Sequence, residues 1–249
     1  MHELHEYFSL PLYVTCLLEA AFPVLAATMH IKEETIATLK QFDIGDKFSY
    51  LPVLPKASVL IPLMVKKGEL HTLMTLRSEQ LRTSAGEVCF PGGKRDPSDT
   101  DDVDTALREA EEEIGLSPGD VQVVCSLFPI INKSGLLVTP VVGFIEESFC
   151  PRPNPDEVSA VFTVPLDFFT SEDHYTVFSV SEAVGPVHSF NFVDSESGSQ
   201  YHIWGLTAVM AILVATLALR KKPKFDVGFD FEDPLSFFKQ ILHRRMSKL

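Results

Sequence analysis

Three glutamates, Glu109, Glu112 and Glu113, stand at i, i+3 and i+4 in the run DVDTALREAEEEIGL. At about 100° per residue this spacing puts three carboxylates on one helical face, while Val103, Leu107, Ala110 and Ile114 form an apolar stripe on another. Two carboxylates about 5 Å apart repel by roughly 3 kcal/mol at an effective dielectric of about 20, more than one helix cap supplies. A divalent cation removes the conflict. Hard ions such as Mg²⁺ or Mn²⁺ prefer carboxylate oxygen and keep water ligands that can be turned toward a phosphoryl group. The chemistry this implies is metal-assisted attack on a phosphoanhydride. On spacing alone the same run is equally a charged helix surface with Arg108 paired to Glu112 at i+4, and the residues around it decide between the two.

Those residues need a scaffold. Asp101 or Asp102 is a candidate N-cap and Gly115 a C-terminal stop, which predicts one short helix. Before it, ASVLIPLMVKK and ELHTLMTLRS read as two strands joined at Gly68. After it, VQVVCSLF, LLVTPVVGFI, AVFTVPLDFF and HSFNFV read as further strands, with the Pro-rich loop PRPNPDEV among them. IKEETIATLKQF near the N-terminus is helix-like, and Ile203 to Leu219 reads as a fully buried helix rather than a bilayer span. Strands on either side of a helix, with another helix late, predict an α/β (α+β) sandwich in which helices cover a sheet.

Composition narrows the function classes. The 249 residues are 45% hydrophobic, enough for a large core, and carry a formal charge of −13, which repels polyanions and argues against nucleic-acid binding. Ten acidic and two basic side chains lie between Arg95 and Asp120, so something must offset that charge. Four scattered cysteines form no C-x-x-C pair and suggest neither a zinc site nor a disulfide framework. The apolar stretch 8–29 lacks the basic flank and clean core of an export signal. The last residues, Ser247, Lys248 and Leu249, read as a peroxisomal import address, and hence as a contact for an import receptor.

The stretch from Gly93 to Leu116 resembles the Nudix box, G-x5-E-x7-R-E-U-x-E-E-x-G-U with U aliphatic, through Arg108, Glu109, Glu112, Glu113 and Gly115. Counting from Gly93 puts Asp99 where the pattern has its first Glu, with eight rather than seven residues before Arg108, and no role is assigned to it. Leu76 to Gly93, LRSEQLRTSAGEVCFPGG, resembles the signature of the coenzyme A diphosphatase branch of that family through Arg77, Ser78, Leu81, Arg82, Gly86, Val88, Phe90, Pro91, Gly92 and Gly93. NPDEVSAVFTVPL from Asn154 and IWGLTA from Ile203 resemble further segments of the branch.

The resemblance implies a Nudix-type α/β/α sandwich with a mixed central sheet over residues 51–222, an accessory segment 1–50 and a C-terminal tail 223–249 carrying the import signal. It implies that Glu109, Glu112 and Glu113 hold Mg²⁺ or Mn²⁺, and that Arg77 and Arg82 meet phosphate. Gly92 and Gly93 would let the backbone approach the diphosphate, and Arg108 would orient the glutamates. Either Glu109 or Glu157 would take the proton. The implied reaction is hydrolysis of CoA, its esters and, as an open case, its oxidised form, to 3′,5′-ADP and (acyl-)4′-phosphopantetheine in the peroxisome. Two alternatives stay open: an NADH or ADP-ribose diphosphatase, and a catalytically inactive acyl-CoA-binding module.

Overall fold

The structure, a computed structural model, describes residues 12–45, 54–132, 134–179, 186–230 and 233–246. Strand β1 (Lys56–Lys66) turns into β2 (Glu69–Arg77) through Lys67 and Gly68, both at positive φ, and the register Lys66↔Glu69 closes a two-residue hairpin of the kind whose twist matches its strands. β1 then pairs in parallel with β7 (Leu137–Phe144), whose eight residues are all buried, as expected of a strand covered on both faces. β5 (Gln122–Ser126) and β6 (Ile130–Ile131) pair with β7. β3 (Val88–Cys89) and β8 (Val158–Pro165) pair with β2, and β4 (Gly92–Lys94) pairs with β1. The result is a mixed eight-stranded sheet.

Helices cover both faces. On one side α2 (Asp102–Ile114) lays Ala106, Ala110 and Ile114 on Leu60, Met64, Leu73 and Val141. On the other, α3 (Gly205–Leu219) buries residues around its whole circumference, among them Met210, Ile212, Leu213 and Val214. The end of α1 (Leu12–Leu39) joins that side, where Arg220 Nη2 donates to Thr38 Oγ1 at 2.8 Å. The expected α/β/α sandwich with a mixed central sheet is therefore the fold. A second, three-stranded sheet of β9 (Tyr175–Ser179), β10 (Pro186–Val193) and β11 (Gln200–Trp204) packs against the α3 side, with Tyr201 stacked on Phe162 of β8 at 3.6 Å between ring centroids.

Several elements differ from expectation. Within IKEETIATLKQF, Ile31 to Leu39 is the end of a 28-residue helix, and Lys40–Phe42 follows as a 3-10 turn. Ile203 belongs to β11, because Tyr201 and Ile203 point inward and His202 outward in strand alternation, and the helix starts only at Gly205. The segment from 223 contains α4 (Pro234–Met246), which buries Phe238 and Leu242. No helix among the described residues is long and apolar enough to cross a membrane. Ser247, Lys248 and Leu249 lie outside the described residues.

α2 is fixed at both ends. Asp101 Oδ1 accepts the Asp104 N–H at 2.8 Å, the N-cap expected from sequence, and Asp102 Oδ2 accepts from Thr139 Oγ1 of β7 at 2.9 Å. Gly115, at φ +69°, ends the helix in a left-handed cap whose N–H reaches Ala110 O and Glu111 O. Replacing the cap, Asp101→Ala, should lower stability by about 1 kcal/mol. In urea this would appear as an earlier midpoint with an unchanged slope, and an unmoved midpoint would remove Asp101 from the helix's support.

Candidate active site

The glutamates of α2 face the short strand β4. Gly92 must lack a side chain: a Cβ there would stand 2.3 Å from Ser58 O and 2.6 Å from Val59 Cα of β1. Its backbone can then donate N–H to Glu113 Oε2 at 3.1 Å. At Gly93 a Cβ would stand 2.4 Å from Glu109 Cδ, so the space this glycine leaves is used by a carboxylate. Glu113 is 3% exposed, and burial pushes its carboxyl up to about 7 against the opposing pull of the Gly92 N–H and Arg77. Burial also raises Glu109, while Arg108 draws it down.

Arg108 ties the acids together. Its Nε donates to Asp99 Oδ1 at 2.8 Å and its Nη2 to Asp99 Oδ2 at 3.0 Å, a two-pronged pair. Nη2 also reaches Glu109 Oε1 at 3.0 Å and Lys94 O at 3.1 Å, and Nη1 reaches Glu112 Oε2 at 3.0 Å. The i+4 pair of a plain charged surface is thus present, but as one arm of a larger cluster. Asp99 is buried, and the Arg108 hydrogen bonds hold its carboxyl far below the usual carboxylate range. Sequence reasoning left Asp99 without a role. Its position in the box was the signal, and the extra residue is absorbed by a turn in which Asp99 N–H donates to Asp96 O at 3.0 Å.

Arg77, at the end of β2, lies 3.7 Å from Glu113 Oε1, and its buried Nε has no hydrogen-bond partner among the described residues. Arg82 is exposed on the following loop and makes no ion pair with a described residue. Glu157 approaches from the other side, on the turn before β8. Its carboxylate makes no hydrogen bond with a described residue, and its charge adds to the upward push on Glu109 and Glu113. Cys89 is half-buried with its Sγ 3.2 Å from Thr75 Oγ1, and desolvation pushes its thiol up to about 11, which suits a packing residue rather than a nucleophile.

Among the described residues no three His, Cys, Asp or Glu side chains are already gathered round a point that could hold a metal ion. Glu112 and Glu109 are turned to Arg108, and Glu113 to Gly92. The donor set nevertheless fits a hard divalent cation: the oxygens are carboxylate, Glu113 is buried and Glu109 half-buried with both raised by desolvation, and the glycine pair lets the strand backbone lie close to them.

The NUDIX domain matches residues 54–179, which takes in the sheet, α2 and the turn carrying Glu157. The mouse protein named peroxisomal coenzyme A diphosphatase NUDT7 is 45% identical over 81% of this chain and 86% of its own length. Two proteins of Arabidopsis thaliana are also similar. Nudix hydrolase 15, mitochondrial, is 42% identical over 68% of this chain and 61% of its own, and Nudix hydrolase 22, chloroplastic, is 40% identical over 82% and 71%. The matched region contains Arg108 and the acids it gathers, and the chain belongs to the Nudix family of phosphoanhydride hydrolases.

Proposed function

We propose that this enzyme is a coenzyme A diphosphatase, cleaving CoA and CoA esters to 3′,5′-ADP and (acyl-)4′-phosphopantetheine. The observation that carries the reading is Arg77, the cation of the signature segment at the end of β2, whose guanidinium stands 3.7 Å from buried Glu113. A half-buried guanidinium held at a fixed place beside the α2 glutamates is suited to take phosphate oxygens. The likeness to the mouse diphosphatase over most of both chains supports CoA as the substrate.

Glu109, Glu112 and Glu113 would hold Mg²⁺ or Mn²⁺, and a bound ion would supply Lewis-acid activation of the diphosphate and of the attacking water. Arg77 orients the diphosphate, and Arg82, on the exposed loop, would also meet phosphate. Gly92 and Gly93 keep the backbone low beneath it. Arg108 keeps Glu109 and Glu112 on the same face of α2 while Asp99 fixes the guanidinium. Glu157 takes the proton of the attacking water, because Glu109 is engaged with Arg108 whereas the Glu157 carboxylate is free. One water is consumed, the P–O–P bridge opens, and two monophosphates leave. Residues 51–222 would form the catalytic unit, flanked by segments 1–50 and 223–249. The terminal Ser247, Lys248 and Leu249 would address it to the peroxisome through the import receptor, in keeping with the name of the mouse relative.

With Mg²⁺ present, the purified chain should release 3′,5′-ADP from CoA faster than AMP from NADH or ADP-ribose, and chelation should stop it. Faster release of AMP would replace the substrate, and no turnover on any of them would make the domain a binding module. Glu113→Gln should lower turnover by about 10³-fold with the fold intact, the equivalent of the several kcal/mol a bound cation contributes. Undiminished activity would take Glu113 out of the site.

Asp99 gives a prediction about stability. Its carboxyl is held low in the folded chain, so it contributes stability above the ordinary carboxylate pKa of about 4 and loses it as pH falls below that. Asp99→Asn should cost about 3 kcal/mol at pH 7. The gap between variant and parent should narrow as unfolding is measured at successively lower pH. A gap independent of pH would mean that the Arg108 pair is not its source.

A further inference from the structure

The segment that carries Glu157 is more tightly built than a connection between strands requires. It reads Pro151-Arg152-Pro153-Asn154-Pro155-Asp156-Glu157. Proline fixes its own φ and steers the residue before it into extended conformations, so Arg152 and Asn154 have little freedom even in the unfolded chain. Asn at the first position of a β-turn and Pro at the second are what such a turn favours. The turn closes accordingly. The Glu157 N–H donates to Asn154 O at 3.0 Å, the Val158 N–H to the same oxygen at 2.8 Å, and the Asp156 N–H to Asn154 Oδ1 at 3.2 Å.

Both sides of the turn are tied to the active site. The Asn154 N–H donates to Glu113 O at 2.8 Å, and the Arg152 N–H to Ile114 O at 2.8 Å, which caps the end of α2. Glu157 O accepts the Ser78 N–H at 2.8 Å, next in chain to Arg77. Asn154 is thus bonded to the backbone of buried Glu113 while it shapes the turn that presents Glu157, and Glu157 in turn is bonded to the residue beside Arg77.

We propose that Asn154 is a positioning residue for the reaction: its side-chain oxygen locks the proline-braced turn so that Glu157 stands at a fixed place across from the α2 glutamates. This rests on reading Glu157 as the proton acceptor. Loosening the turn lets Glu157 wander without touching the groups that bind substrate, so the loss falls on kcat rather than KM.

The test is a double-mutant cycle on the full chain with CoA and Mg²⁺, comparing Asn154→Ala, Asn154→Asp, Glu157→Gln and the pair Asn154→Ala with Glu157→Gln, each checked for folding by thermal unfolding. Asn154→Ala should lower kcat by about 10- to 100-fold with KM within about twofold. Asn154→Asp, which keeps the acceptor oxygen, should return kcat to within about threefold of the parent. In the Glu157→Gln background Asn154→Ala should have little further effect, since it acts through a group already disabled. A full Asn154→Ala loss persisting in that background, or no loss at all, overturns the proposal. If Glu157→Gln retains the parent kcat, the proposal falls while the diphosphatase reading stands. If the parent chain cleaves NADH or ADP-ribose instead of CoA, the substrate reading falls and the cycle is judged by the same criteria on that substrate. If it cleaves none of them, both fall. Should Asn154→Ala not fold, Pro155→Ala, at an exposed position of the same turn, takes its place under the same criteria.

Discussion

Mutual repulsion of the acids gathered around Arg108 and Arg77 is the constraint around which the rest of the site is built. Asp99, Glu109, Glu112 and Glu113 face two guanidinium groups, those of Arg108 and Arg77, so carboxylates outnumber cations even before Glu157 is counted. Arginine suits the task because its planar fork can hold several carboxylates in fixed directions, which a lysine ammonium cannot do. An excess of carboxylates in a partly buried place suits a hard divalent cation better than it suits a solvated surface, where Glu111, on the far side of the helix, simply points into water.

Packing makes that electrostatic arrangement possible. The apolar stripe of α2 seats the helix on Leu60, Met64 and Val141, and the fit of Gly92 against the β1 backbone brings an N–H to Glu113. A residue with a Cβ at position 92 would push β4 off β1 and take that N–H away. The burial that raises Glu113 and the donor that lowers it therefore come from the same close approach of strand to strand. The second sheet and α3 serve the site indirectly: Thr207 in the first turn of α3 donates to Val88 O, steadying the strand that leads into the glycine loop.

What could be read from the sequence follows from how local each signal is. The β1–β2 hairpin, the capped helix α2 and the buried helix α3 declare themselves within a dozen residues through periodicity, caps and turn residues, and all three form. The three glutamates were legible for the same reason, since helical spacing is short-range. Asp99 was not, because its part depends on a turn that absorbs one extra residue before Arg108, and only the folded chain shows that the carboxylate still reaches the guanidinium. β9 was missed because YTVFS gains its partners from residues beyond position 185, and α4 because its Phe238 and Leu242 are too few to form a pattern until a core exists for them to enter. Arg77 was legible as a phosphate candidate, but its nearness to Glu113 was not, because residues 36 apart meet only through the sheet.

Placement of Glu157 follows a different logic from that of the α2 acids. A helix can present side chains only along its own surface, so an acid placed across from it has to come from another element. Here it comes from the turn before β8, where no helical ladder holds the backbone. Three prolines and an asparagine supply the stiffness that a helix would otherwise provide, restricting φ before folding and closing the turn after it. Because that turn also donates to the last carbonyls of α2, any movement of the helix end carries the turn with it, and the spacing between the acids on the two elements is preserved. The geometry across the pocket is thus set by backbone hydrogen bonds, which are short-range and directional, while the charges themselves repel. Neither could hold the site alone.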